Sequence, residues 1–122
     1  MSALRDARYL SLATFRKSGV AVATPVWFAE SGDRLWVFSA GDAGKVKRLR
    51  NSSRSRVAPC DMRGGILGEW TESVARLVDD PEAIRAAHAA MRAKYGWQMS
   101  LGDFFSTLSG RLQRRAWIEI EI

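Results

Sequence analysis

The sequence has one cysteine, one histidine and three prolines among its 122 residues. A single cysteine, Cys60, excludes an intrachain disulfide, and a lone thiol without companion ligands argues against a zinc site. The longest apolar stretch, residues 20–29, is interrupted by Thr24 and Pro25 and is far shorter than the roughly 20 residues that a membrane-spanning helix needs. The beginning of the chain mixes charged with apolar side chains, unlike a secretory signal. We therefore expect a cytoplasmic protein that enters no membrane and holds no metal.

Positive charge is abundant instead. The chain has 19 Lys and Arg residues against 13 Asp and Glu, a net charge of +6 with histidine neutral. This surplus favours anionic partners: nucleic acid, anionic lipid or a phosphorylated cofactor. The length fits one domain over residues 1–122. Five tryptophans are more than so short a chain buries easily, so we expect a homodimer with Trp70 and Trp117 near the partner subunit.

Strand patterns dominate the first two-thirds of the chain. Residues 8–15, 20–29 and 34–40 are rich in strand formers and are separated by turns, which predicts a meander. Pro25 lies inside the second of these strands, and because proline cannot donate to the ladder it indicates an edge, a bulge or a break. Residues 54–61, residues 68–77 and the alternating C-terminal run "RRAWIEIEI" predict further strands. About six or seven antiparallel strands with helices give an α+β fold built on a small barrel.

Two helices interrupt or follow these strands. A short one is predicted from about Ala43 to Arg50, capped by Asp42, with an inward pair at Val46 and Leu49. A longer one begins at Pro81, is capped by Asp80 and ends at Gly96. A third helical piece is expected over residues 101–108. His88, in the longer helix, has no ligand-type residue at metal-binding spacing, which predicts a surface or packing role.

No catalytic motif built from side chains is present: no G-x-S-x-G, no paired Cys and His, no phosphate loop. An enzyme with this sequence would rely on a cofactor. The segment "FSAGDAGKVKRLRNSSRSRVA" offers a short helix whose free N–H groups and positive dipole end lie near Lys45. Spacing alone supports a phosphate site and a solvated basic helix equally. A basic nucleic-acid-binding barrel is a weaker alternative, because Arg63, Gly64 and Gly65 form one isolated triplet and the arginines are scattered over turns and helices instead of alternating with aromatics on one pair of strands.

Several short sequence runs, taken in their order along the chain, resemble a known protein family. "LATFRKSG", "ATPVWF", "SAG" and "GKVKRL", with "GEW" and "KYGWQ" further on, are similar to the split β-barrel flavin and deazaflavin oxidoreductases of the pyridoxamine 5'-phosphate oxidase superfamily. The sequence most resembles its small coenzyme F420-dependent branch. The resemblance implies a split β-barrel of the FMN-binding type, a homodimer with the cofactor at or near the interface, and hydride transfer between F420 and a small organic acceptor. FMN is the alternative cofactor, and a flavin-binding protein without its own turnover is the alternative function.

The resemblance also implies site residues. It places the cofactor ring against a strand, largely through backbone groups, and the phosphate at a serine, a lysine and a second cation; these positions match Thr24, Pro25, Val26 and Trp27 for the ring and Ser39, Lys45 and Arg48 for the phosphate. Pyridoxamine phosphate oxidases have an arginine directly before that lysine, whereas this chain has Gly44, so vitamin B6 oxidation is not expected. Candidate proton donors are Tyr9, Tyr95 and Asp61.

Overall fold

The computed structural model describes residues 4, 6–101, 103 and 115–122. The described residues form an α+β fold, as predicted. The strands are β1 Tyr9–Phe15, β2 Ala21–Val26, β3 Ala29–Ser31, β4 Arg34–Ala40, β5 Arg54–Cys60, β6 Thr71–Val78 and β7 Arg115–Glu121, and the helices are α1 Gly44–Asn51 and α2 Pro81–Tyr95. Residues 97–101 and 103 are also helical.

The strands form one antiparallel sheet in the order β2-β1-β5-β6-β7-β4-β3. β2 and β3 are its two edges, yet only Trp27 and Phe28 separate them along the chain. So short a link reaches about 10 Å. The sheet must therefore curl until its edges approach each other at this end. The result is the predicted split β-barrel.

The barrel interior is filled by apolar side chains that alternate along the strands. Leu12 pairs with Val57 across β1 and β5, and Val37 pairs with Ile118 across β4 and β7. Directly paired residues share one face of an antiparallel sheet. The side chains of both pairs therefore point into the barrel and belong to one core. Its buried members are Leu4, Leu10, Leu12, Phe28, Leu35, Val37, Leu49, Val57, Ala75, Ile118 and Ile120. Helix α1 joins this core through Leu49, with Val46 also buried, which confirms the predicted inward pair.

Helix α2 covers part of the outer face of the sheet. This helix begins and ends as predicted: the Asp80 carboxylate accepts a hydrogen bond from the Ala83 N–H at 3.4 Å, and Gly96 ends the helix at φ 60°. Its buried side packs on β3, β4 and β7 in a second cluster that contains Trp117. Trp117 is only 6% exposed, so packing within its own chain buries it. Trp70 is 41% exposed, and its position near a partner stays a prediction.

The predicted strand over residues 20–29 is wrong as a single element, because the chain breaks at Trp27 and Phe28 and continues as β3. Pro25 lies in the edge strand β2, one of the alternatives for this proline. The Arg16 N–H donates to the Val20 carbonyl at 2.9 Å. Alternation along the antiparallel ladder then turns the backbone of Pro25 away from β1. The missing N–H therefore costs no ladder hydrogen bond.

Two helix details also differ from expectation. Ala43, not Asp42, is the residue before α1, and no side chain caps the helix. Helical residues after α2 begin at 97 rather than 101, and most of the predicted segment 101–108 lies outside the described residues. Within the part of the chain that the structure describes, no helix combines the length and apolarity required to cross a bilayer.

Candidate cofactor site

Two cations lie together at helix α1. Lys45 is half-buried in the first turn and Arg48 follows one turn later. Neither forms an ion pair within the described residues. Burial and the neighbouring Arg48 lower the pKa of Lys45, while burial and the nearby Arg16 lower the pKa of Arg48. The positive charge here is uncompensated, and an anion bound beside it would be stabilised.

Arg48 is held from below by a buried hydroxyl. Its Nε donates to Thr14 Oγ1 at 2.6 Å, and Thr14 is fully buried in β1. Thr14 pairs with Ser55 across the ladder, and the hydroxyl oxygens of Ser55 and Ser73 are 2.7 Å apart. Polar side chains thus run beneath α1 from β6 to β1. Because Nε is the atom engaged, the terminal guanidinium nitrogens of Arg48 remain for a ligand.

The beginning of α1 adds backbone donors. No side chain caps it, and its first turn contains no acidic residue. The first N–H groups of a helix lack partners within the helix, and they lie at its positive end. An anion near Lys45 would therefore meet both a full charge and free amides. Sequence reasoning reached this arrangement, although it assigned Asp42 to the cap.

The glycine before Lys45 acquires a role in the structure. A Cβ atom on Gly44 would lie 2.8 Å from Nη1 of Arg48, so the guanidinium occupies the space directly over this residue. Arg48 thereby puts a guanidinium beside the position where the superfamily's oxidases have their arginine. Ser39, near the end of β4, is half-buried, and its hydroxyl has no side-chain hydrogen bond among the described residues. No hydrogen bond joins Ser39 to Lys45 among the described residues.

The predicted ring-binding residues lie on β2 and the link after it. Pro25 is exposed, and Val26 packs partly into the barrel core. The hydroxyl of Thr24 is buried without a hydrogen-bond partner among the described residues. An unsatisfied buried hydroxyl costs roughly 1–3 kcal/mol, so this atom is a candidate for a ligand contact. Among the described strands none pairs with the outer edge of β2, so its backbone groups are candidates to meet a ring.

Trp27 is engaged within the chain. Its indole stacks on Tyr95 with ring centroids 4.4 Å apart and planes 12° from parallel. The Tyr95 hydroxyl accepts from the Phe28 N–H at 2.9 Å and lies 2.8 Å from the Arg8 carbonyl oxygen. Burial raises the pKa of Tyr95 to about 12. Tyr95 is therefore a structural group that holds its proton, and a poor proton donor.

The other donor candidates differ in setting. Asp61 is exposed and its Oδ1 accepts from the N–H groups of Arg63 at 2.9 Å and Gly65 at 2.8 Å. These two hydrogen bonds close the loop after β5, and a Cβ atom on Gly64 of this loop would lie 3.6 Å from Cδ of Pro25. Tyr9 is half-buried at the start of β1 and keeps no assigned role.

The two groups of predicted residues sit at different points along one strand. Thr14, which holds Arg48, pairs with Val22 at the beginning of β2, whereas Pro25 pairs with Ser11 further along. At about 3.4 Å per residue, Val22 and Pro25 are roughly 10 Å apart. A ribityl phosphate chain bridges a span of this order between ring and phosphate. The arrangement thus fits a ring beside Pro25 and a phosphate at α1.

Sequence reasoning missed a cluster around Asp103. Nε2 of His88 lies 2.8 Å from Oδ2 of Asp103, and Arg115 donates to Oδ1 at 2.8 Å. Burial opposes ionisation of Asp103, but the hydrogen bonds from Arg115 and His88 outweigh it and lower the pKa of the carboxyl. His88 thus packs and pairs. No local pattern links residues so far apart in sequence. Nowhere in the described ranges do three His, Cys, Asp or Glu side chains gather as a metal site would require.

The described residues thus combine a split barrel with two cations, Lys45 and Arg48, that form no ion pair at the uncapped start of helix α1. The family model of pyridoxamine 5'-phosphate oxidase matches residues 1–122, and the chain belongs to this family. A search of curated proteins gives no match.

Solved structures share the fold at low sequence identity. The chain is similar to Mycobacterium tuberculosis Rv2991 at TM-score 0.73 and 20% identity, covering 98% of this chain and 76% of that one. It is similar to HutZ, the heme storage protein from Vibrio cholerae, at TM-score 0.73 and 16% identity, with 98% and 84% covered. A heme-binding protein from Mycobacterium smegmatis gives TM-score 0.68 at 14% identity, with 99% and 49% covered. At these identities the likeness concerns the fold.

Proposed function

We propose that the protein is an F420-dependent oxidoreductase that transfers a hydride between the deazaflavin and a small organic acceptor. The observation that carries this proposal is the pair Lys45 and Arg48, two partly buried cations without a carboxylate partner in the described chain. They stand beside the uncapped start of α1. A bound phosphate would compensate the charge of these two cations, and both candidate cofactors carry a phosphate.

The residues of this chain divide the work of binding. Lys45, Arg48 and the first amides of α1 hold the phosphate, with Ser39 as a further hydroxyl. The outer edge of β2 and Thr24 meet the ring. The deazaflavin, when bound, supplies the hydride from its own ring carbon. The protein's tasks are then to orient the acceptor and exclude water.

Charge favours F420 over FMN. F420 extends its phosphate with an oligoglutamate tail, and the chain's net charge of +6 attracts that tail. FMN satisfies the phosphate site alone and is the second cofactor of the proposal. Titration with each, followed by its fluorescence, decides between them. We expect tighter binding of F420; tighter binding of FMN would reverse the cofactor assignment, and binding of neither would refute the proposal.

Turnover needs its own measurement, because a cofactor carrier would pass the titration. Reduced F420 mixed with protein and a quinone or an unsaturated carbonyl compound is expected to be oxidised faster than without protein. Binding without any acceleration across these acceptors would make the protein a cofactor carrier.

Haem binding is an alternative to test, because two of the structural neighbours are a heme storage protein and a heme-binding protein. His88 is the only histidine of the chain, and its Nε2 is already 2.8 Å from the Asp103 carboxylate. A histidine-ligated haem would have to break this pair, which disfavours it. A Soret band that saturates at one haem per chain and disappears in His88→Ala would contradict this reasoning.

The basic nucleic-acid alternative is also weakened by local pairing. Arg56 and Arg54 face Glu72 in ion pairs, and the Arg54 guanidinium lies 4.1 Å from the centre of the Phe15 ring. The Arg63-Gly64-Gly65 triplet belongs to the loop closed by Asp61. These arginines do not form a continuous unpaired stripe.

We further propose that the protein acts as a homodimer. The outer face of β2, β1, β5 and β6 has a groove of about 460 Å³ lined by Ala13, Ala21, Ala23, Arg56, Trp70 and Glu72. Trp70 is exposed there, as is Leu67 nearby. Exposed apolar groups beside polar ones are typical of interfaces. Light scattering at micromolar concentration is expected to give twice the chain mass, and a stable monomer would oppose the proposal.

A further inference from the structure

A second pair of cations lies at the opposite end of β1. Nζ of Lys94 is 3.3 Å from the centre of the Phe28 ring and 5.3 Å from that of Tyr95. The guanidinium carbon of Arg8 is 4.8 Å from the Tyr95 centroid. Lys94 and Arg8 therefore share one aromatic patch at the link between β2 and β3.

This pair also lacks a counter-charge. Arg8 donates to the Lys94 carbonyl oxygen at 3.3 Å and to Oε1 of Gln98 at 2.7 Å, which are both neutral acceptors. Neither cation forms an ion pair within the described residues. Ring faces and the carbonyl end of α2 supply only partial negative charge. Burial and then the nearby Arg8 lower the pKa of Lys94 to about 8, as expected where two cations stand together without an anion.

The position of the pair separates it from the phosphate site. Arg8 precedes β1, and Thr14, which holds Arg48, lies near the other end of that strand. Six residues at about 3.4 Å each place them roughly 20 Å apart. The phosphate of the cofactor, and the glutamate tail attached to it, belong to the α1 end. An anion between Arg8 and Lys94 would therefore come from a second ligand.

We propose that Arg8 and Lys94 form a carboxylate-binding subsite for the acceptor substrate. The inference rests on the proposed function for the location of the ring, since Val26 pairs with Leu10 and so brings the ring-binding end of β2 beside this patch. A guanidinium offers a carboxylate two parallel donors, and the lysine adds a point charge. The acceptor class is then a quinone or unsaturated carbonyl compound that carries a carboxylate.

The kinetic test uses one acceptor in two forms: a naphthoquinone with a carboxyethyl side chain, and its methyl ester. The ring chemistry is the same and only the charge differs. With F420 as donor, wild type is expected to show kcat/KM about tenfold or more higher for the acid. Arg8→Gln and Lys94→Met should each lower kcat/KM for the acid far more than kcat/KM for the ester, and so remove most of this preference. Arg85→Met, which removes a charge from an exposed position of α2, should keep the preference.

Equal rates for acid and ester in wild type would overturn the subsite, as would an equal loss for both in the variants. A second measurement needs no cofactor. Lysines carrying ¹³C-methyl groups report their own pKa by NMR, and a bound carboxylate should raise the pKa of Lys94 from about 8 towards its ordinary range. The acid should produce this rise and the ester should not.

The two measurements separate the two proposals. A pKa rise with the acid but no F420 turnover would keep the subsite and refute the proposed function. Turnover of both forms with an unmoved Lys94 would keep the function and refute the subsite.

Discussion

Replacing Tyr95 by phenylalanine tests how the ends of the split barrel are joined. Tyr95 is 3% exposed, and its hydroxyl binds the Phe28 N–H and lies within hydrogen-bond distance of the carbonyl oxygens of Arg8 and Phe28. Tyr95→Phe keeps the ring that stacks on Trp27 but leaves these buried backbone groups without their partner. The loss of stability at neutral pH should be about 1–3 kcal/mol.

The same variant should change the pH dependence of stability. The pKa of Tyr95 is raised to about 12 in the folded chain, against about 10 when unfolded. Between these values the folded chain keeps the proton while the unfolded chain loses it, so stability falls as pH rises through this window. The fall attributable to Tyr95 reaches about 1.4 kcal/mol by pH 11. Tyr95→Phe has no phenol to ionise and should lack this component.

Urea unfolding followed by tryptophan fluorescence at pH 8 and pH 11 measures both effects. The difference between wild type and Tyr95→Phe should be large at pH 8 and smaller at pH 11. Tyr9→Phe is the control, because it removes the other of the chain's two phenols, from a half-buried position at the start of β1. If wild type and Tyr95→Phe lost stability in parallel between the two pH values, the assignment of the raised pKa to this hydroxyl would be refuted.

Three further substitutions address the phosphate site. Lys45→Ala should weaken cofactor binding by about one to two orders of magnitude, with Arg85→Ala unchanged in a fluorescence titration; equal losses would mean only a diffuse field. Thr14→Val removes the acceptor that holds Arg48 and should weaken binding by roughly three- to tenfold, whereas Thr14→Ser, which keeps the hydroxyl, should recover most of it. Gly44→Ala puts a Cβ 2.8 Å from Nη1 of Arg48, so the affinity for the cofactor should fall. The free energy of unfolding measured in urea should stay within about 0.5 kcal/mol of the wild-type value. Unchanged affinity for the cofactor would exclude Arg48 from the site.

Local sequence predicted those elements whose two faces have different surroundings. β4 and β7 alternate because one face enters the barrel and the other meets helix α2, and both were found nearly residue for residue. The sequence did not predict the break after β2, because residues 20–29 are apolar both before and after the break. The break arises because the chain must leave one edge of the sheet and join the other, which is a property of the whole barrel.

The geometry of the candidate site was predictable to the same extent, while its role stays a prediction. Lys45 and Arg48 stood out because a short basic helix after glycines is a local pattern. The hydrogen bond from Arg48 to Thr14 spans 34 positions, and the contact of Lys94 with Phe28 joins residues even farther apart in the sequence. The error at the cap had a local cause: the extended residue before the helix is Ala43, so Asp42 lies one position too early to bond its first turn.

The two-residue link between β2 and β3 limits how the barrel can open. The two sheet edges are tied covalently at Trp27 and Phe28, and Tyr95 bonds the Phe28 backbone from outside. Any separation of the two sheet edges must therefore leave them joined at this link. Lengthening the link with inserted glycines would remove this covalent restraint on the distance between the two edges.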